Sequence, residues 1–223
     1  MKLIICNSKK WFNLSETIRN DHEIYNFANK EELTLSALQT IEPDIVFFPH
    51  WSWIVEKEIF NEFNCIIFHT APLPYGRGGS PVQNLIKRGY LKSPVCALRM
   101  SDGIDNGPIY DQEVISLDGT LSEILKRLNC AVNKLIERLV IGLPEPNEQV
   151  GEILTFKRLG HEDNEISFDA NLREVYDAIR MLDDPSYPSA YIRLKNITLE
   201  FSEITKENSN LICKVLISNK DTT

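Results

Sequence analysis

The chain has 223 residues, 43% of them hydrophobic and 25% charged, enough for one good core with a smaller appendage. A net charge of −8 argues against broad contact with a phosphate backbone, so no nucleic-acid partner is expected. No run approaches the roughly 18 apolar residues of a membrane span, and the opening residues lack a secretory signal, so a cytoplasmic protein without membrane contact is expected.

Residues 2–6 form an apolar run ending in Asn7-Ser8-Lys9-Lys10, the pattern of a buried parallel strand emerging into a loop. Residues 31–41 carry Leu35, Leu38 and Ile41 at helical spacing and lead through Pro43 to a second buried strand, 45–48. Helical spacing recurs over 55–63, followed by a third apolar run, 65–68, that stops at His69. Strands alternating with helices predict an α/β fold: a Rossmann-like, mostly parallel sheet with helices on both faces. Residues 80–89 read as a helix capped by Ser80, with Pro81 at its first position and Gly89 past its end. A strand is predicted over 95–100 and a long amphipathic helix over 122–140.

The stretch 142–147, rich in Pro and Gly, closes this unit and divides the chain into a main domain, 1–150, and a small C-terminal mixed or β subdomain, 151–223. In the latter the pattern predicts a helix over 172–182, a turn over 184–188 and strands over 190–194, 197–204 and 211–217, with 218–223 loose. The cysteines (Cys6, Cys65, Cys96, Cys130, Cys213) form no C-x-x-C and no cluster with His at metal spacing. They read as reduced packing residues, and no metal site is expected.

The chemistry concentrates in two loops. After the third strand comes F-H-T-A-P-L-P-Y-G-R-G-G-S-P-V-Q (68–83), whose prolines and glycines fix a loop that approaches a ligand closely. Ligands of doubly wound sheets lie at such strand ends. After a later strand comes S-D-G-I-D-N-G-P (101–108), which sets Asp105 between Gly103 and Gly107. Alone, His69 reads as a satisfied core histidine and Asp105 as a turn residue; on paired rigid loops they suit proton transfer, since imidazole titrates near working pH.

These residues resemble the N10-formyltetrahydrofolate-dependent formyltransferases, a family that includes glycinamide ribonucleotide, methionyl-tRNA and sugar-nucleotide enzymes. The family signature is Asn-x-His-Pro-Ser-Leu-Leu-Pro, a Gly-rich stretch and Pro-x-Gln, then Asp-x-Gly-x-Asp-x-Gly-Pro about three dozen residues past the His. His69, Pro72, Pro74, Gly78, Pro81, Gln83, Asp105, Gly107 and Pro108 fall into it, with His69 and Asp105 36 residues apart. The resemblance covers residues 1–150 and, more weakly, 176–191. It implies an enzyme in which His69 and Asp105 are catalytic. N10-formyltetrahydrofolate is the implied co-substrate, held against Trp51, Ser52, Trp53 and Ile54 and against Ser101, Asp102, Gly103 and Ile104.

Lys9, Lys10, Arg77, Gly78 and Gln83 are candidates for the acceptor side, although lysines in such loops are commonly just solvated; His50 reads as structural or surface. One departure stands out: the family Asn two residues before the His is Ile67 here, and His-Pro-Ser has become His-Thr-Ala. Thr70 or Asn84 would have to replace the missing amide donor, unless His69 serves alone or the protein is inactive. The tail is short and poor in positive charge beside that of methionyl-tRNA enzymes, so the expected acceptor is the amine of a nucleotide-linked amino-sugar, of a pseudaminic-type or other surface-glycan pathway. The alternatives are a methionyl-tRNA formyltransferase, a silent folate or sugar-nucleotide binding protein, and a formyltetrahydrofolate hydrolase. For assembly, a homodimer is the one state considered.

Overall fold

The computed structural model describes residues 1–219. From the N-terminus run β1 (Lys2–Asn7), α1 (Glu16–Asp21), β2 (Glu23–Phe27), α2 (Leu35–Ile41), β3 (Ile45–His50), α3 (Lys57–Glu62) and β4 (Cys65–His69). Next come β5 (Tyr75–Gly78), α4 (Pro81–Lys87), β6 (Lys92–Arg99), β7 (Ile109–Ser116) and α5 (Leu121–Ile141). The chain continues through β8 (Leu154–Phe156), α6 (Leu172–Arg180), β9 (Ala190–Arg193), β10 (Ile197–Glu207) and β11 (Asn210–Asn219).

Six strands make the main sheet in the order β2-β1-β3-β4-β6-β7. The first four are parallel, and β6 and β7 are antiparallel to their neighbours. Side chains alternate across each strand, so a strand covered on both sides is apolar throughout. Thus Leu3 and Ile5 of β1 join Ile18 of α1 and the inner row of α5 on one face. Ile4 and Cys6 join Leu38 of α2 and Ile59 of α3 on the other. This is the mostly parallel, doubly covered sheet expected. No helix among the described residues is long and apolar enough to cross a membrane.

The C-terminal portion builds a three-stranded antiparallel sheet, β11-β10-β9. It is tied back to the rest by a short parallel pair, β5 with β8, and by Phe156, Ile179, Met181, Ala190 and Ile204, which share the buried cluster of α5. Arg180, 5% exposed, donates to the carbonyls of Leu117 (2.5 Å) and Gly119 (3.0 Å) and pairs with Asp177 at 2.6 Å.

Several local expectations need correction. The helix expected over 31–41 begins at Leu35, after a 3-10 turn at Lys30–Glu32, and the one expected over 172–182 ends at Arg180. Ser80 precedes α4 but does not cap it with its side chain: its φ is 49°, and its hydroxyl accepts from the Leu159 N–H at 3.1 Å instead. Ser218 and Asn219, expected to be loose, belong to β11, and residues 220–223 lie outside the described residues. α1, β2, β5, β7 and β8 were not predicted, being short, half-exposed or glycine-rich.

Candidate active site

β4 ends on His69, 7% exposed, which shares a strand face with Ile67 by the two-residue alternation. The imidazole Nε2 lies 2.7 Å from the Gly76 carbonyl oxygen. A carbonyl only accepts, so Nε2 carries hydrogen and the neutral ring keeps its lone pair on Nδ1. Nδ1 is 3.3 Å from Asp105 Oδ2, and that oxygen also accepts from the Gly78 N–H at 2.9 Å. A proton arriving on Nδ1 therefore meets a carboxylate already held in place.

Asp105 arrives by an unexpected route. β6 runs antiparallel to β4, with Arg99 beside Ile66, so the loop after β6 does not leave from the carboxyl end of a parallel strand. It folds back over the face of β4 that carries Ile67 and packs Met100 there. Asp105 has φ 50°, a left-handed conformation that Asp adopts more readily than most residues. Gln149 Nε2 donates to the carbonyls of Asp105 and Gly107, both at 2.8 Å, and Gln149 Oε1 accepts from Arg77 at 2.8 and 3.0 Å. At Gly107 a Cβ would lie 1.8 Å from the Arg99 carbonyl oxygen, so only glycine fits.

The His69–Asp105 pair opens on a cavity of about 990 Å³. That is the upper end of the range for small-molecule sites and leaves room for two ligands side by side. Trp51, Ser52, Trp53 and Ile54 line one wall, the two indoles edge to face at 4.9 Å. Ser101, Asp102, Gly103 and Ile104 also line the cavity, and Lys57 of α3 pairs with Asp102. Trp51 Nε1 is buried with no hydrogen-bond partner among the described residues. Aromatic walls with few polar groups suit a flat heterocycle.

The acceptor-side candidates separate. Lys9, Gly78 and Gln83 line the cavity. Lys10 is exposed outside it, and Arg77 is turned away, its guanidinium committed to Gln149. Asn84 cannot replace the missing amide, because its Nδ2 already donates to the carbonyls of Gly79, Ser80 and Lys157. Thr70, 5% exposed, lines the cavity, and its hydroxyl has no hydrogen bond among the described residues. His50 also lines the cavity; burial first, then the charges of Lys9 and Arg158, push its pKa down to about 4.

Sequence reasoning missed Gln149 and a wall drawn from the C-terminal portion: Arg158, His161 and Tyr187. No local pattern marks them; they reach the cavity only through the β5–β8 pairing and the packing of α6. Cys6, Cys65 and Cys96 are buried, and burial pushes the Cys65 and Cys96 thiols up to about 12. Cys130 is exposed, so it is not the packing residue expected. Among the described residues no three His, Cys, Asp or Glu side chains converge as metal ligands would.

A Rossmann-like sheet with a His–Asp pair in the wall of a large cavity places the protein among α/β folds with a ligand-sized site. The sequence family described as formyl transferase matches residues 2–140, and the methionyl-tRNA formyltransferase C-terminal domain matches residues 161–218. The chain belongs to the formyl transferase family. A methionyl-tRNA formyltransferase from Rickettsia typhi is 30% identical over 213 residues, 92% of this chain and 66% of that protein. The solved structure of methionyl-tRNA formyltransferase from Clostridium thermocellum superposes with a TM-score of 0.93 at 39% identity, covering 99% of this chain and 100% of that one.

The formyltransferase PseJ from Anoxybacillus kamchatkensis, in complex with a UDP-linked formamido sugar and tetrahydrofolate, shares the fold at 18% identity. Its TM-score is 0.56, over 70% of this chain and 85% of that one. The expected nearness to sugar formyltransferases is thus corrected: similarity is higher to proteins named for methionyl-tRNA. The chain spans 42% to 61% of the length of the first curated relatives it matches.

Proposed function

We propose that the protein transfers a formyl group from N10-formyltetrahydrofolate to a primary amine, with His69 taking the proton the amine gives up. The observation that carries this reading is the His69–Asp105 pair in the wall of the cavity, with Nδ1 3.3 Å from Asp105 Oδ2. The folate supplies an activated formyl carbon. The amine nitrogen bonds to that carbon, the bond from carbon to N10 breaks, and N10 leaves with the proton that His69 has taken from the amine, which returns the imidazole to its neutral form. His69 accepts the amine proton at Nδ1, and Asp105 stabilises the resulting imidazolium. The Thr70 hydroxyl donates to the formyl oxygen as charge develops there, the role the family gives to the amide that Ile67 replaces. Residues 1–150 would hold the folate between the Trp51–Ile54 and Ser101–Ile104 walls, while 151–223 complete the acceptor side.

For the acceptor, the names of the relatives at 30% and 39% identity support methionyl-tRNA, which we take as the first to test. A nucleotide-linked amino-sugar is the second reading, favoured by the acidic balance: residues 151–223 hold 13 Asp and Glu against 9 Lys and Arg. The test incubates the protein with N10-formyltetrahydrofolate and either methionyl-tRNA or a panel of nucleotide-linked amino-sugars, following acceptor-dependent release of tetrahydrofolate. His69→Ala is expected to lower that rate by about 10²–10⁴-fold with an unchanged circular dichroism spectrum. Undiminished transfer in His69→Ala would refute the mechanism. Release without acceptor would make the protein a hydrolase, and binding without turnover on either acceptor class would make it a silent binder.

A further inference from the structure

We propose that Lys9 and Arg158 together form a binding site for a phosphate group of the acceptor, in the part of the cavity beside His50. The inference rests on the formyl-transfer reading for the word acceptor, but the site itself is argued from the two cations. Both residues line the cavity. Other cations are ion-paired: Lys57 with Asp102, Arg138 with Asp111 and Glu113, Arg180 with Asp177, and Lys214 with Glu203. The side chains of Lys9 and Arg158 have no hydrogen bond or ion pair among the described residues, in a chain of net charge −8. Lys9 follows Ser8, whose N–H donates to the His50 carbonyl at 2.9 Å, and His50 and Tyr187 line the same cavity as Lys9 and Arg158.

Both positions are anchored by backbone. Lys9 closes a turn with Asn7 at the end of β1, the Asn7 amide donating to the Lys9 carbonyl at 2.7 Å and accepting from the Lys9 N–H at 3.2 Å. Arg158 packs against the loop that follows His69: a Cβ at Gly79 would lie 2.5 Å from the Arg158 Cα, so the two backbones touch. Gly79 N–H donates to the Phe156 carbonyl at 3.1 Å, and Gly78, one residue before, holds Asp105. A guanidinium so placed meets phosphate oxygens through two parallel N–H groups, and the Lys9 ammonium adds a point charge. Ser52, whose hydroxyl is 2.9 Å from that of Ser8, lines the same cavity and adds a neutral polar group. An acceptor held there by phosphate has its amine within the cavity that His69 faces.

The test reads binding alone. Trp11, edge-on to His50 at 6.2 Å, gives a fluorescence reporter in the same cavity. Inorganic pyrophosphate, UDP and a short RNA ending in CCA are titrated into wild type, Arg158→Ala, Arg158→Lys and Lys9→Gln, each checked by thermal melting. Saturable binding of pyrophosphate is expected, weakened about tenfold or more in Arg158→Ala and Lys9→Gln and in part restored in Arg158→Lys. Tighter binding of UDP assigns the phosphate to a sugar nucleotide, and tighter binding of the RNA assigns it to tRNA. Equal affinity in wild type and variants, or no saturation by about 10 mM, overturns the site. Displacement of pyrophosphate by tetrahydrofolate but not by a pterin lacking the glutamate also overturns it, since the cations would then serve the folate tail. None of these readouts needs formyl transfer, so a protein that transfers nothing can still bind at Arg158, and the reverse.

Discussion

The two sides of the cavity are held in place by different means. On the β4 side the anchors are backbone groups of one loop: His69 meets the carbonyl of Gly76, seven residues on, and Asp105 the Gly78 N–H, 27 residues before it. On the C-terminal side Arg158 owes its position to a parallel strand pair joining residues 75–78 to 154–156, and to α6 docking through a buried arginine. The His69–Asp105 pair thus rests on backbone groups of the loop after β4, braced from Gln149, while Arg158 depends on strand pairing and helix packing. Damage on the first side should strike turnover and leave stability alone; damage on the second should strike stability and acceptor affinity together.

The sharpest separation comes from Asp105→Asn, which keeps the size and tolerance for a left-handed backbone but removes the charge behind His69. A fall in kcat of about 10²–10⁴-fold with an unchanged melting temperature is expected from steady-state assays. Arg180→Ala attacks the other side. Stripping a buried charge pair of one partner costs about 3–5 kcal/mol, read by urea unfolding, and the KM for acceptor should rise more than that for folate. Thr70→Val tests whether the first side also stabilises the formyl oxygen: loss of one such donor costs about 10²–10³-fold in kcat without a change in unfolding midpoint.

His50, between the two sides, gives the smallest effect, and it appears only in acid. The folded protein keeps it neutral down to about pH 4, whereas in the unfolded chain it takes a proton near 6.5. Stability is untouched above pH 6.5 and falls as pH drops through that window, by about 3 kcal/mol at the low end. His50→Phe should remove that slope, as followed by urea midpoints at pH 7, 5.5 and 4.

Much of the first side is legible in the sequence. Buried runs such as 2–6 and 45–48 are apolar because both faces are covered, and a loop of three prolines and three glycines after a strand is hard to mistake. The reversal of β6 was not legible, since an apolar strand carries no sign of its direction, and with it went the true path of Asp105. Arg77 and Asn84 looked like ligand contacts because they neighbour His69 in sequence. Their polar atoms are consumed by Gln149 and by three carbonyls, which only tertiary structure reveals. Gln149 and Arg158 sit in stretches without periodicity, where a polar residue gives no hint of its partner.

Gln149 also bears on the order in which the protein becomes competent. Its amide is the strut under Asp105 and Gly107, yet it follows α5, some forty residues after the carboxylate it steadies. A chain emerging from the ribosome can close the His69 loop early, while its proton-handling carboxylate stays unbraced until the segment beyond α5 has crossed back over the sheet. The braced pair therefore forms only once residue 149 has been made, later than the loop that carries His69.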